Sequence, residues 1–135
     1  MHMRLMLTAL VFLIGLFFVG MALAFILTPL SVSAMVAVNP AGDPHTMSTL
    51  RGDFAGFFGI VGISALWGAW KCRGDLLLLP ALAMIIVVIG RFVGYSQDGG
   101  FEGLGGVIGL ELLFAAIFLW SRSVLPHHAL KDVGD

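Results

Sequence analysis

Four long runs of apolar residues, separated by shorter polar segments, dominate this sequence. A helix needs about 20 predominantly apolar residues to cross a bilayer, and each run approaches or exceeds that length. The expected spans are residues 5–28, 50–70, 76–95 and 102–121, followed by a polar tail at 122–135. The pattern predicts an all-α protein, in which the whole chain forms a single integral membrane domain built as a four-helix bundle.

Composition supports this interpretation and excludes several others. The chain has 135 residues, of which 59% are hydrophobic and 11% are charged, whereas soluble domains carry about 25% charged residues. The net charge of −1 leaves no basic face for a nucleic acid. Cys72 is the only cysteine, so neither an internal disulfide nor a cysteine-based metal site is expected.

The first apolar run has two interpretations. It could be a signal peptide, with Arg4 as its basic region and the small residues "VSA" at 32–34 as its cleavage site. Apolar cores of signal peptides, however, have about 7–15 residues, and residues 5–28 contain no charge at all. The longer run favours a helix that is retained as the first span.

Basic residues indicate the orientation of the bundle. Five of the seven Lys and Arg residues fall in segments that four spans would place on one side, namely Arg4, Lys71, Arg73, Arg122 and Lys131. Short loops rich in Lys and Arg stay on the cytoplasmic side of a membrane. We therefore expect a multi-pass protein of the bacterial inner membrane, with the N- and C-termini inside (N-in/C-in).

The connections between the spans are unequal. The first, residues 29–49, is long, and its segment "PLSVSAMVAV" predicts a short helix at the membrane interface. The second, "KCRGD", is a tight turn. The third, "SQDGGFEG", is glycine-rich and acidic, and its Asp98 and Glu102 are expected to be hydrated.

Glycines recur at a spacing of three or four residues in three of the spans. In lipid, small residues mark the faces on which helices approach closely. We therefore predict that the helices pack most closely in the outer half of the bundle, where these glycines lie: Gly52, Gly56, Gly59, Gly90, Gly94, Gly105 and Gly109.

Four charged residues lie within or at the edges of the spans, in the predicted outer half: Arg51, Asp53, Arg91 and Glu111. A lone charge near the bilayer centre costs about 2.5–3.5 kcal/mol on insertion scales. Glu111, the deepest, is therefore expected to face the bundle interior and to meet Arg91 or Arg51. The cluster is either an ion-pair network that fixes helix order or a binding site for a small or lipidic molecule with an anionic or polar head.

Two motifs carry a resemblance to a known family. "LRGDFAGFFGIVGI" at the start of the second span and "GRFVGYSQDG" at the end of the third resemble a family of small bacterial four-helix membrane proteins known only as a domain of unknown function, DUF4345. The resemblance covers residues 4–122, and its motif residues here are Arg51, Asp53, Gly56 and Arg91. More remotely the chain resembles the DoxX-like proteins, which implies a distant link to quinone-coupled redox chemistry.

These observations favour a non-enzymatic function. The first hypothesis is a small accessory or scaffold protein that packs against a larger membrane-protein complex or against its own copies. The alternative is a binding or transport protein for a lipid, a quinone or a small anion, using Arg51, Arg91 and Glu111. A third is a membrane enzyme with Glu111 as acid or base. No motif indicates a cofactor, although a lipid or quinone would suit the spans, and the bilayer is the first expected partner.

Overall fold

A computed structural model describes residues 2–36, 38–39 and 42–126 of the chain. Within these ranges all regular structure is helical: α1 (His2–Leu27), α2 (Pro29–Ser33), α3 (Pro44–Thr49), α4 (Ala55–Trp70), α5 (Leu78–Asp98) and α6 (Leu104–Val124). A π-helical turn, Leu50–Phe54, joins α3 to α4, and 3₁₀ turns follow α2 and precede α5. The prediction of an all-α protein is confirmed.

Four helical segments are long and apolar enough to cross a membrane, as predicted: His2–Leu27, Pro44–Trp70, Gly74–Asp98 and Leu104–Val124. Several boundaries differ from the prediction; α5, for example, ends at Asp98 rather than at residue 95. Helical structure before α4 begins at Pro44, six residues earlier than the expected span, and α6 runs on into the expected polar tail as far as Val124. Residues 127–135 of that tail lie outside the described part of the chain.

The early start at Pro44 has a local cause. The Asp43 side chain accepts hydrogen bonds from the backbone N–H of Thr46 at 3.1 Å and from the Thr46 hydroxyl at 2.6 Å, which makes Asp43 an N-cap. Proline follows at the first helical position, where no backbone donor is needed. The same two hydrogen bonds lower the pKa of Asp43.

The helix α1 packs antiparallel to α4 through glycines near the middle of both helices. A methyl group added at Gly62 would come within 2.7 Å of the Val19 nitrogen, and one added at Gly15 within 2.9 Å of the Leu66 nitrogen. The backbones therefore approach each other without intervening side chains. Glycines thus mark this contact, but neither Gly15 nor Gly62 lies in the outer half, where the closest approach was expected.

The bundle is tightly packed where α4 ends, α5 begins and α6 ends, which we call the closed end. The Gly74 N–H donates to the Pro126 carbonyl at 2.9 Å, and Leu77, Phe118 and Leu125 are buried there in one apolar cluster. Gly74 lies so close to the Arg122 carbonyl that an added methyl would sit 2.6 Å from its oxygen. Backbone contacts therefore hold the closed end together.

At the opposite end the helix pairs diverge, and we call this the open end. Buried residues in α5 stop at Val88, and those in α6 start only at Ala115. By contrast, α1 buries residues from Leu7 to Phe25 along most of its length. The pair α1–α4 and the pair α5–α6 therefore meet at the closed end and enclose a space at the open end. The short helix α2 begins at this end, which agrees with the short helix expected in the first connection.

Candidate functional site

A cavity of about 790 Å³ occupies the space between the two helix pairs at the open end. Pockets for small molecules in proteins have volumes of about 300–1,000 Å³, so this one is large for a chain of this size. Its deeper wall is formed by Phe18 and Met21 of α1, Met84 of α5 and Phe114 of α6. The cavity therefore extends from the middle of the bundle to its open end.

An ion pair between α5 and α6 forms part of the cavity wall. Arg91 Nε donates to both carboxylate oxygens of Glu111 at 2.8 Å, and Arg91 Nη2 lies 2.8 Å from Glu111 Oε1. The side chains are only 22% and 13% exposed, respectively. The prediction that Glu111 meets an arginine inside the bundle agrees with this geometry.

Helical spacing explains why both residues face the same space. Val87, Arg91 and Asp98 of α5 line the cavity at intervals of four and seven residues, which places them on one helix face. On α6, Glu111 shares a cavity-lining face with Phe114, three residues later. Because α5 and α6 are antiparallel, Arg91 and Glu111 come to the same depth.

Arg91 keeps donors that the ion pair does not use. A guanidinium group has five N–H donors, and among the described residues Arg91 Nη1 has no hydrogen-bond acceptor. Tyr95, one turn further along α5, also lines the cavity, and its hydroxyl makes no hydrogen bond within the part of the chain that the structure describes. The polar part of the cavity can therefore still donate to a bound molecule.

A row of aromatic rings forms the wall opposite α5. Phe25 stacks on Phe58 with ring centroids 5.5 Å apart and an interplanar angle of 9°, and it also lies 5.2 Å from Phe54. Phe18 continues the row at 5.7 Å from Phe58, and Phe114 lies edge-on to Phe18 at 5.5 Å. Such contacts contribute about 0.5–1.5 kcal/mol per pair beyond area burial. The row links α1, α4 and α6, and four of its rings form an apolar part of the cavity wall: Phe18, Phe54, Phe58 and Phe114.

Arg51 and Asp53 do not join the Arg91–Glu111 pair in the structure. Arg51 is exposed and its Nε donates to the Ile26 carbonyl at 3.1 Å, near the C-terminal end of α1. Asp53 lines the cavity but makes no ion pair with any described residue. Residues two apart in a helix point in different directions, which explains why Arg51 and Asp53 face different surroundings. The four-residue cluster thus contains one pair and two separate groups.

The predicted packing glycines are mostly not at contacts within the chain. Only Gly59 has a neighbour, the Ala22 Cβ at 3.7 Å from an added methyl. A methyl added at any of the others would meet nothing within 4 Å: Gly52, Gly56, Gly90, Gly94, Gly105 and Gly109. The expectation that the helices of one chain approach most closely in the outer half is therefore wrong. Gly90 and Gly94 instead line the cavity, and packing of the remaining glycines against another chain stays a prediction.

Several cavity residues were missed by the sequence reasoning. Tyr95 and Phe101 line the cavity where it opens, and Asp98, expected to be a hydrated loop residue, is the last residue of α5 and lines it as well. Met35 and Val38, from the first connection, also contribute. The one available signal was the cluster of phenylalanines at 54, 57 and 58, directly after Asp53.

Metal binding finds no support in the described residues. Within ranges 2–36, 38–39 and 42–126, no three His, Cys, Asp or Glu side chains come together in a way that could hold a metal ion. The polar groups of the cavity are one neutralised ion pair, two carboxylates and a phenol, set in an apolar wall. This combination suits non-covalent binding of an amphiphilic molecule.

Comparison with known proteins supports the family resemblance. The family model of a domain of unknown function, DUF4345, matches residues 6–121, which include all four span-length helices in large part and the whole ion pair. No curated protein and no solved structure matches the chain significantly. The distant link to DoxX-like proteins stays a prediction. Because the match extends over most of the sequence, the chain belongs to the DUF4345 family.

Proposed function

We propose that this chain is a multi-pass protein of the bacterial inner membrane, N-in/C-in, that binds a lipid-like molecule in the cavity at the open end. Charge distribution supports the orientation. Among the described residues the closed end carries Arg4, Lys71, Arg73 and Arg122 against one carboxylate, Asp75. Segments with this excess of cations stay on the cytoplasmic side, so the open end faces outward.

The cavity is the observation that carries the binding function. A four-helix bundle gains stability by burying its inner faces, yet here α5 and α6 leave the inner faces of their outer halves unburied. The resulting space of about 790 Å³ is lined by phenylalanine, methionine and valine, with polar groups concentrated on α5 and at Glu111. An acyl chain or flat hydrocarbon body would contact the apolar wall while its head reached the polar groups.

A second function, that of an accessory subunit, is favoured by a different observation. Gly105 and Gly109 lie on α6 with open space beside them, and they do not line the cavity. Their spacing is that of close helix–helix contacts in membranes, so this face suits a helix of another chain. The two functions use different faces and can be tested separately.

Filling the cavity tests the binding function. We expect Gly94→Leu to fill part of the cavity, because Gly94 lines it and nothing lies within 4 Å of an added Cβ. The measurement is native mass spectrometry and extraction of molecules that remain bound after purification in a non-ionic detergent. Gly94→Leu should lose most of the bound lipid-like molecule, and its thermal unfolding midpoint should stay close to that of the unsubstituted protein.

Gly109→Leu is the matched control. It makes the same change in an open helical position but outside the cavity, so it should retain the bound molecule. If both variants carry as much bound lipid as the unsubstituted protein, the cavity is not a binding site and the proposal fails. If Gly109→Leu alone changes the mass of the assembly, the accessory function gains support.

A further inference from the structure

The charges around the cavity are unbalanced, and this restricts the head group of the bound molecule. Arg91 is neutralised by Glu111 at 2.8 Å. The two other charged residues that line the cavity, Asp53 and Asp98, are both acidic, and neither forms an ion pair with a described residue. With its carboxylates ionised, the cavity therefore carries an excess of negative charge.

Among the described residues, no other cation lines the cavity and offsets this excess of negative charge. Arg51 is the other arginine there, but it does not line the cavity, and its Nε donates to the Ile26 carbonyl. The remaining charged side chains of the open end in the described ranges are those of Asp43 and Glu102, which are also acidic and exposed. An anionic head group would thus meet like charge on approach and inside the cavity.

The opening of the cavity adds aromatic surface. Tyr95 and Phe101 line it, with 58% and 47% of their surfaces exposed, respectively. The faces of aromatic rings attract cations, including quaternary ammonium groups. An exposed phenol and an exposed phenyl ring, together with two exposed carboxylates that have no partner among the described residues, form surroundings that favour a positive head group.

We infer that the molecule bound here is a cationic amphiphile, with its hydrocarbon body along the phenylalanine row and an amine or quaternary ammonium head among Asp53, Asp98 and the exposed rings. This inference rests on the proposed binding function and narrows it. It narrows the expected anionic or polar head to a cationic one, because Glu111 neutralises the charge of Arg91, whose Nη1 can still donate to an uncharged acceptor of the bound molecule. The cavity provides the space for the hydrocarbon body, and the negative charge of Asp53 and Asp98 favours a positive head group.

Photocrosslinking with matched probes tests the inference. The probes share one diazirine-bearing alkyl chain and differ in the head, which is trimethylammonium, hydroxyl or sulfate. The charges of the trimethylammonium and sulfate heads do not change with pH. We expect the trimethylammonium probe to label cavity residues most strongly and the sulfate probe least. Since exposed ion pairs contribute about 0.2–1 kcal/mol each, Asp53→Asn with Asp98→Asn should weaken trimethylammonium labelling by about twofold to thirtyfold.

Two controls separate the cavity from general surface charge. Glu102→Gln removes an exposed carboxylate that does not line the cavity, so it should leave the order of the probes unchanged. Gly94→Leu keeps every surface charge and should abolish labelling of the cavity by all three probes. Equal labelling by the three heads, or strongest labelling by sulfate, would overturn the cationic preference and leave the binding function intact. If Gly94→Leu changes the labelling by no probe, both the binding function and this inference fail.

Discussion

The closed and open ends of the bundle are held together by different kinds of contact. At the closed end backbone meets backbone, as at Gly74 against the Arg122 carbonyl, and Leu77 and Phe118 fill the space between the helices. At the open end the Arg91–Glu111 ion pair joins α5 to α6, and the contact between the Phe18 and Phe114 rings joins α1 to α6. The contrast indicates that backbone contacts and apolar packing fix the closed end, whereas the open end retains space for another molecule.

The largest effect should follow from breaking the ion pair at the open end. Removing one partner of a fully buried pair destabilises proteins by about 3–5 kcal/mol, and the effect for this partly exposed pair should be somewhat smaller. We expect Arg91→Gln and Glu111→Gln each to lower the thermal unfolding midpoint in detergent micelles, and Arg91→Gln to do so more, because Glu111 would remain buried with no described cation beside it. The double variant should be milder than the sum of the two single ones.

The part of the bundle that loosens in Arg91→Gln tests whether the ion pair stabilises the open end alone. Spin labels placed on α5 and α6 at the open end should show a broader distance distribution in Arg91→Gln, while labels at the closed end should keep theirs. Equal broadening at both ends, or strictly additive effects of the two substitutions, would contradict the idea that the pair acts locally and as a unit.

A smaller effect is expected from adding one methyl group at the middle of the α1–α4 contact. In Gly62→Ala the new Cβ would lie 2.7 Å from the Val19 nitrogen, so the two helices must separate. Overpacking of this kind costs about 1–3 kcal/mol, which outweighs the helix-propensity advantage of alanine, about 1 kcal/mol at most. The thermal unfolding midpoint should fall.

Gly90→Ala is the control for this change at the open end. Gly90 is also helical, but nothing lies within 4 Å of an added Cβ, so the variant should unfold at or above the temperature of the unsubstituted protein. If Gly90→Ala destabilised the protein as much as Gly62→Ala, glycine would be needed at both ends and the proposed difference between them would be lost.

The helices and the ion pair could be predicted from the sequence, since each depends on one strong energetic term. Apolar runs of about 20 residues predict helices long enough to cross a membrane. Glu111 lies so far from either end of α6 that it needs a partner inside the bundle, which left Arg91 and Arg51 as candidates, and the structure pairs it with Arg91. Both inferences follow from the high free energy of an unpaired charge in an apolar environment.

The packing glycines and the cavity could not be predicted in the same way, since they depend on how the helices are angled. Glycines at a spacing of three or four residues show that one face of a helix carries small residues, but they do not show which helix packs against that face. Gly62 touches α1, whereas Gly90 and Gly94, with the same kind of spacing, line an empty space. Likewise the π-helical turn at Leu50–Phe54, which carries both Arg51 and Asp53, leaves no signature in the hydrophobic pattern.

The smallest effect is expected for substitutions of Arg51. Their measurement decides whether Arg51 caps the end of α1 or belongs to the binding site. Its Nε donates to the Ile26 carbonyl at 3.1 Å, and a cation near a helix C-terminus contributes about 0.3–1 kcal/mol. Arg51→Gln should speed amide hydrogen exchange in the residues after Leu27, whereas Arg51→Lys, which keeps the charge, should do so less. Neither should change the order in which the three probes label the cavity. If Arg51→Gln instead left exchange unchanged and weakened labelling, Arg51 would belong to the binding site, as the sequence first suggested, and the negative charge assigned to the cavity would be too large.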